Sequence, residues 1–220
     1  MVRFIRFLWR LLKTVVVLGV LAVIVAMILP VEMNLTEQSQ YPSLPNGCEA
    51  VSASVALNGL GVPIAAETFA SQYLPKVPIG TSAPSQAYQG DPFGDGYYCY
   101  PKALATGINS FLTTQSTSLQ AKTHPLVPFS EVLFRLHTKK PVIVWTTADD
   151  KFPERDPAVI WQNGLRDQHP YMNLHVVVID GVRGFNVHLV DSLNGARWMS
   201  VFKFIPLYYS MGLRAVYFAD

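Results

Sequence analysis

Cys48 opens an apolar stretch, CEAVSASVALNGLG, whose only charge is Glu49. Small and aliphatic residues nearly all round predict a buried helix. Asn46 is placed to cap its start, and Gly59 or Gly61 followed by Pro63 to end it. A thiol at a helix N-terminus meets unpaired N–H groups and the positive end of the helix dipole. This position is expected to lower its pKa and make the sulfur nucleophilic. Such a nucleophile needs a base beside it. Of the five histidines, His124 and His169 precede prolines and His137 closes a predicted helix. His188 is internal to one predicted strand and His175 to another.

His175 can be placed by strand register. Leu174–Asp180 (LHVVVID) and Phe185–Asp191 (FNVHLVD) read as antiparallel strands joined by GVRG. An odd-numbered loop opposes Asp180 to Asn186, Val178 to His188 and His175 to Asp191. Directly opposed side chains lie about 5 Å apart at Cβ, within reach of an imidazole–carboxylate hydrogen bond. An even-numbered loop would oppose His175 to Ser192 and spoil the pair. The turn carries no Asn-Gly signature, which favours the odd loop. Asp191 then orients His175, or else serves only to cap the Ser-Leu-Asn-Gly turn after it.

The elements that must hold these groups divide along the chain. Helices are predicted over 63–74, from Pro101 through Leu112 (PKALATGINSFL), and from Ser130 to Thr138. Between them, residues 75–100 read as a long loop with Tyr97, Tyr98 and Tyr100. Strands follow at 141–147 (PVIVWTT), in the two segments holding His175 and Asp191, and near 214–218 (RAVYF). Helices first and antiparallel strands later predict an α+β domain.

The 220 residues are 50% hydrophobic and 15% charged, which excludes disorder for most of the chain. Two cysteines exclude a four-cysteine zinc site, and no metal or organic cofactor is implied. Residues 1–30 contain Arg3, Arg6, Arg10 and Lys13 and no acid, whereas the remaining 190 residues hold 13 basic and 15 acidic side chains. That balance argues against nucleic-acid binding by the main domain. From Thr14 to Pro30 there is no charge at all. With basic residues on its N-terminal side, this segment is expected to be a retained signal anchor, with Met1 cytoplasmic and the rest extracytoplasmic. A cleaved signal peptide is the alternative, but MILPVEM lacks an A-x-A-like site. The expected order is a cytoplasmic N-terminus over 1–13, a membrane span over 14–30, a tether over 31–37 and one domain over 38–220.

The Cys–His–Asp order, with the thiol heading a helix and the other two on a sheet, is that of papain-like peptidases. Gln40-Tyr-Pro-Ser-Leu-Pro-Asn-Gly-Cys48-Glu49-Ala-Val-Ser52, then Ala56-Leu57-Asn58 and Gly61, resembles the start of the C39-like cysteine peptidases. The resemblance continues through Gln89-Gly-Asp91-Pro92, Gly96-Tyr97, Tyr100-Pro101, Leu174-His175, Val190-Asp191-Ser-Leu-Asn-Gly195 and Met211-Gly212. It implies a papain-like fold, a buried N-terminal helix packed on an antiparallel sheet, acting on a peptide or protein substrate. It further implies Cys48 as nucleophile, His175 as general base, Asp191 as its orienting acid and Gln40 as an oxyanion donor, with Gln38 the fallback. There is no ATP-binding motif, so the double-glycine leader substrate of the transporter-fused relatives is not carried over. Two other readings stand beside it: a cell-wall amidase or transpeptidase using the same triad, and a non-catalytic peptide-binding domain closed by a Cys48–Cys99 disulfide.

Overall fold

The structure is a computed structural model that describes residues 2–162 and 167–220. Met1, expected on the cytoplasmic side, lies outside the described residues. Helix α1 (Val2–Ile28) runs unbroken through the basic and apolar segments. Its Phe4–Ile28 portion is long and apolar enough to cross a membrane, with a mean hydropathy of 2.8. Its last turns touch the domain, where Val23, Ala26 and Met27 pack on the core and the Ala26 carbonyl meets the His137 ring at 2.9 Å.

The chain then forms β1 (Val31–Glu32), α2 (Cys48–Gly59), α3 (Ala66–Gln72), β2 (Lys76–Val77), β3 (Tyr88–Gln89) and α4 (Pro101–Leu112). It continues through β4 (Gln120–Lys122), α5 (Phe129–His137), β5 (Val142–Thr147), β6 (Trp161–Gln162) and β7 (Asp167–Gln168). The last elements are β8 (Leu174–Arg183), β9 (Asn186–Asp191), β10 (Gly195–Ser200), α6 (Val201–Ser210) and β11 (Ala215–Ala219). The sheet order is β10-β9-β8-β5-β11-β4, its pairings are antiparallel, and β1 extends the β5 edge of β8. The α+β expectation holds.

β8 is central, so helices cover both of its faces; its residues are buried without a break from His175 to Val182, and Val176–Ile179 is a continuous apolar run rather than an alternating one. Val176 and Val178 face a core shared with α2 and α4, whereas Val177 and Ile179 face one shared with α5 and α6. The expected tether is tied down along this strand. Met33 donates its N–H to the Asp180 carbonyl at 3.0 Å, and Leu35 donates its own to the Asp180 carboxylate at 2.9 Å.

Several sequence expectations are corrected. Asn46 does not cap α2: Gly47 occupies that position, and the Asn46 amide donates instead to the Gly94 carbonyl at 2.7 Å. A side chain at Gly47 would bring its Cβ within 2.7 Å of the Leu44 Cβ, so close chain passage selects glycine there. The helix after Pro63 begins at Ala66, and the loop before α4 contains the parallel pair β2–β3. Strands β4 and β10 and helix α6 were not anticipated. α6 contains Pro206, which argues locally against a helix, but tertiary packing of Phe204, Leu207 and Tyr208 overrides it.

The β8–β9 register matters most for function. The connecting loop is not odd-numbered. It has two residues, Gly184 and Phe185, both at positive φ (53° and 64°) as a type I′ turn requires. Near the turn, Arg183 pairs with Asn186, Val182 with Val187 and Gly181 with His188. Beyond a bulge at Asp180, Ile179 pairs with Leu189 and Val178 with Val190. One unpaired residue shifts the register by one, and a shift of one changes which side chains share a face. Extended one step, the register sets Asp191 opposite Val177, two residues from His175 and on the same face. The pair is therefore diagonal rather than directly opposed. The even loop alone would have put the two on opposite faces, and the bulge restores them to one. The bulge itself is anchored, because the buried Asp180 carboxylate also meets His188 Nδ1 at 2.6 Å.

Candidate active site

α2 packs on β8, and Ser52 on its first turns donates its hydroxyl to the Val176 carbonyl at 3.1 Å. This seats the start of the helix beside the strand carrying His175. The Val176 backbone, next along from His175, is among the groups that pull the Cys48 pKa down. His175 and Asp191 are both buried at 2% exposure, and Nε2 meets Asp191 Oδ1 at 2.7 Å.

Asp191 makes contacts of both kinds, to the imidazole and to the turn. Its Oδ1 takes His175 and also caps the following turn, accepting the N–H groups of Leu193 at 2.9 Å and Asn194 at 3.2 Å. Its Oδ2 accepts the Asn194 side-chain amide at 3.0 Å and lies 3.4 Å from the Arg197 guanidinium. Burial alone would raise its pKa, but the His175 bond and charge and these N–H donors outweigh it. They hold the carboxyl well below its ordinary value of 3.8. An ionised Asp191 orients His175: Nε2 carries the proton donated to the carboxylate, so whenever the ring holds a single proton Nδ1 is the basic nitrogen.

Gln40 is buried and lies against the same turn. Its N–H donates to the Ser192 carbonyl at 3.2 Å, and its side-chain oxygen accepts the Ser192 hydroxyl at 2.7 Å. The side-chain nitrogen donates to the Pro45 carbonyl at 2.7 Å. A primary amide carries two N–H donors, so one remains beyond that bond. Gln38 is held elsewhere, by the Ser54 hydroxyl at 3.1 Å midway along α2.

The expected depression of the Cys48 pKa is reversed. The thiol is pushed well above its ordinary value, first by burial and then by the charge and hydrogen bond of Glu49, against which the backbone hydrogen bonds of Val176 and Glu49 are too weak. The helix start is present, but the site is dry and holds an acid. Glu49 has no exposure at all. Its Oε2 accepts from the Cys48 thiol at 3.3 Å and its Oε1 from the Cys99 N–H at 2.7 Å. Cys48 and Cys99 are free thiols, so the disulfide reading is corrected: the Glu49 carboxyl bridges the two residues in place of a bond. The only charge in an otherwise apolar helix was the sequence signal for this group.

Burial raises the Glu49 pKa from 4.5 to about 7. A raised carboxyl contributes stability that is complete below 4.5 and lost as pH rises through about 7. Between pH 4.5 and 8 the wild-type chain is therefore expected to lose about 3 kcal/mol that a Glu49→Gln chain keeps. Urea titrations across that range measure this, and parallel pH profiles for the two chains would refute it.

Of the aromatic cluster, Tyr98 is buried in the core and Tyr100 stacks under Arg214 at 4.0 Å. Tyr100 also lines a cavity of about 520 Å³ with Ser85, Lys102, His124, Leu126 and Arg214, among whose lining residues none of the four candidate site residues appears.

Comparison with known proteins places this geometry. Residues 31–215 match the Peptidase_C39 like family. The chain belongs to that family, which makes a cysteine-type peptidase the coarse reading of its activity. Its fold is similar to the crystal structure of a candidate C39-like peptidase from Bacillus anthracis, with a TM-score of 0.75 and 22% identity over 87% of this chain and 98% of that one. No curated protein matches the sequence.

Proposed function

We propose that this chain is a membrane-anchored cysteine peptidase with its catalytic domain on the extracytoplasmic side. Residues 14–30 span the membrane, 1–13 stay inside, and 31–37 lead into the domain over 38–220. In this reading Cys48 is the nucleophile, His175 the general base and Asp191 the acid that orients it. The observation that carries it is the buried 2.7 Å bond between His175 Nε2 and Asp191, on the strand to which the Cys48 helix is tied by the Ser52 hydroxyl at the Val176 carbonyl.

His175 Nδ1 takes the thiol proton and the thiolate attacks the carbonyl carbon of the scissile amide. The oxyanion is met by the Cys48 N–H and the remaining side-chain N–H of Gln40, oriented donors of the kind worth about 10²–10³ in rate each. Imidazolium, stabilised by Asp191, returns the proton to the leaving amine and an acyl-Cys48 thioester remains. Water, deprotonated by His175, then hydrolyses the thioester and the thiol regains its proton.

The full chain in detergent micelles is expected to cleave members of an unstructured peptide library, and alkylation of Cys48 is expected to stop it. Cleavage confined to peptidoglycan fragments would move the reading to a cell-wall amidase with the same triad.

A further inference from the structure

We propose that Glu49 is a further catalytic residue: as a neutral acid it donates a hydrogen bond to the Cys48 thiolate, and as a carboxylate it retains the thiol proton and silences the nucleophile. The proposal rests on the cysteine-peptidase reading above. Its basis is geometric. Oε2 lies 3.3 Å from the reacting sulfur and Oε1 is pinned by the Cys99 N–H at 2.7 Å, so the carboxyl cannot turn its other edge to the thiol without orphaning that amide. The group is sealed from water, and among the described residues no lysine or arginine pairs with it.

The same two heavy atoms serve either proton arrangement. With Glu49 ionised, the thiol donates to the carboxylate, and forming a thiolate would set two negative charges 3.3 Å apart in a dry site. With Glu49 protonated, O–H donates to the sulfur and favours its anion. That proton stays on Oε2 throughout. The thiol proton still goes to His175, and the Glu49–sulfur bond weakens only as the S–C bond forms and the sulfur loses its charge. The groups facing the carboxyl are the Cys48 thiol from α2, the Cys99 thiol from the segment before α4 and the Tyr88 phenol from β3. β8 carries His175, itself paired with Asp191; β5 brings no titratable group, and Glu67 of α3 and Lys102 of α4 are exposed. Among the described residues no lysine or arginine is therefore placed to offset a Glu49 charge.

Burial pushes the Glu49 pKa up to about 7, so the switch falls near neutrality and opens towards acid. At pH 8.5 about one molecule in thirty keeps the proton. The test is the rate of Cys48 carboxamidomethylation by iodoacetamide in the full chain in detergent micelles, from pH 5 to 9, scored by mass mapping of the Cys48 peptide. The wild-type rate is expected to fall at least tenfold between pH 6.5 and 8.5. Glu49→Gln, whose amide is a neutral donor at every pH, is expected to lose that fall. A wild-type rate that climbs steadily through this range overturns the proposal, as does an equal fall in Glu49→Gln. Should the variant not fold, the wild-type profile alone decides. Peptide hydrolysis run in parallel separates the two claims. A falling alkylation limb without Cys48-dependent hydrolysis upholds the Glu49–sulfur pair and overturns the peptidase reading, whereas hydrolysis with a steady climb does the reverse.

Discussion

Cys48→Ala is expected to lower peptide hydrolysis by about 10⁴–10⁶-fold, to the level left by binding and oxyanion donors alone. No acyl-enzyme can form without the sulfur, and no neighbouring group replaces it. The Cys99 thiol is buried beyond the Glu49 carboxyl, whose Oε1 binds the Cys99 backbone. The helix should survive the change, because alanine is the best helix former and α2 is held by Ser52 and its apolar neighbours. Rates of peptide cleavage, far-UV circular dichroism and intact-mass trapping of the acyl intermediate measure the three parts of this expectation. Undiminished turnover in the variant would remove Cys48 from the mechanism.

The second large effect is expected at Asp191. Asp191→Asn should reduce kcat by roughly 10²–10⁴, by analogy with the loss when a triad acid becomes an amide. The carboxylate accepts on both oxygens: His175, Leu193 and Asn194 on Oδ1, and the Asn194 amide and Arg197 on Oδ2. An amide offers one acceptor, so its NH₂ must face either the imidazole or the donors of Asn194 and Arg197. The first choice reverses the histidine tautomer and puts the proton on Nδ1, where the base is needed. Stability changes as well, and its sign follows from a pKa held below 3.8. The Asp191 contribution is complete above that value and is lost as pH falls below it. The wild-type chain should therefore weaken on the acid side more steeply than the variant, which has no carboxyl to protonate. Steady-state kinetics and urea titrations between pH 2.5 and 5 test both statements. An unchanged kcat would make Asp191 a turn cap and nothing more.

Much of the candidate site can be read directly from the chain. A cysteine at the head of a small-residue helix, a histidine in one valine-rich strand and an aspartate ending the next are local patterns, and the structure brings these elements together. α4 and β5 fall close to their expected bounds for the same reason, since proline at a first helical position and a β-branched run are short-range signals. α6 and β10 were not legible. α6 carries a proline and exists because it covers the second core, a demand made by residues distant in sequence.

The His175–Asp191 pair was anticipated with the wrong register. Two errors cancelled: the loop is even rather than odd, and a bulge at Asp180 shifts the register by one. Bulges have no dependable local signature, and this one is held by Leu35 and His188, contacts that only the folded sheet creates.

The amino-acid sequence by itself determined an apolar segment long enough to span a membrane, a thiol at a helix start, and a histidine and an acid on neighbouring strands. These are properties of short windows, set by side-chain polarity and its period. The tertiary structure alone decided which face His175 and Asp191 share, because side-chain parity depends on a single unpaired residue. It also decided the sign of the Cys48 shift and turned Glu49 from a lone helix charge into the neighbour of the nucleophile. Ionisation follows from how much water is excluded and from which groups lie within a few ångströms, and neither quantity exists before the chain has closed around the site.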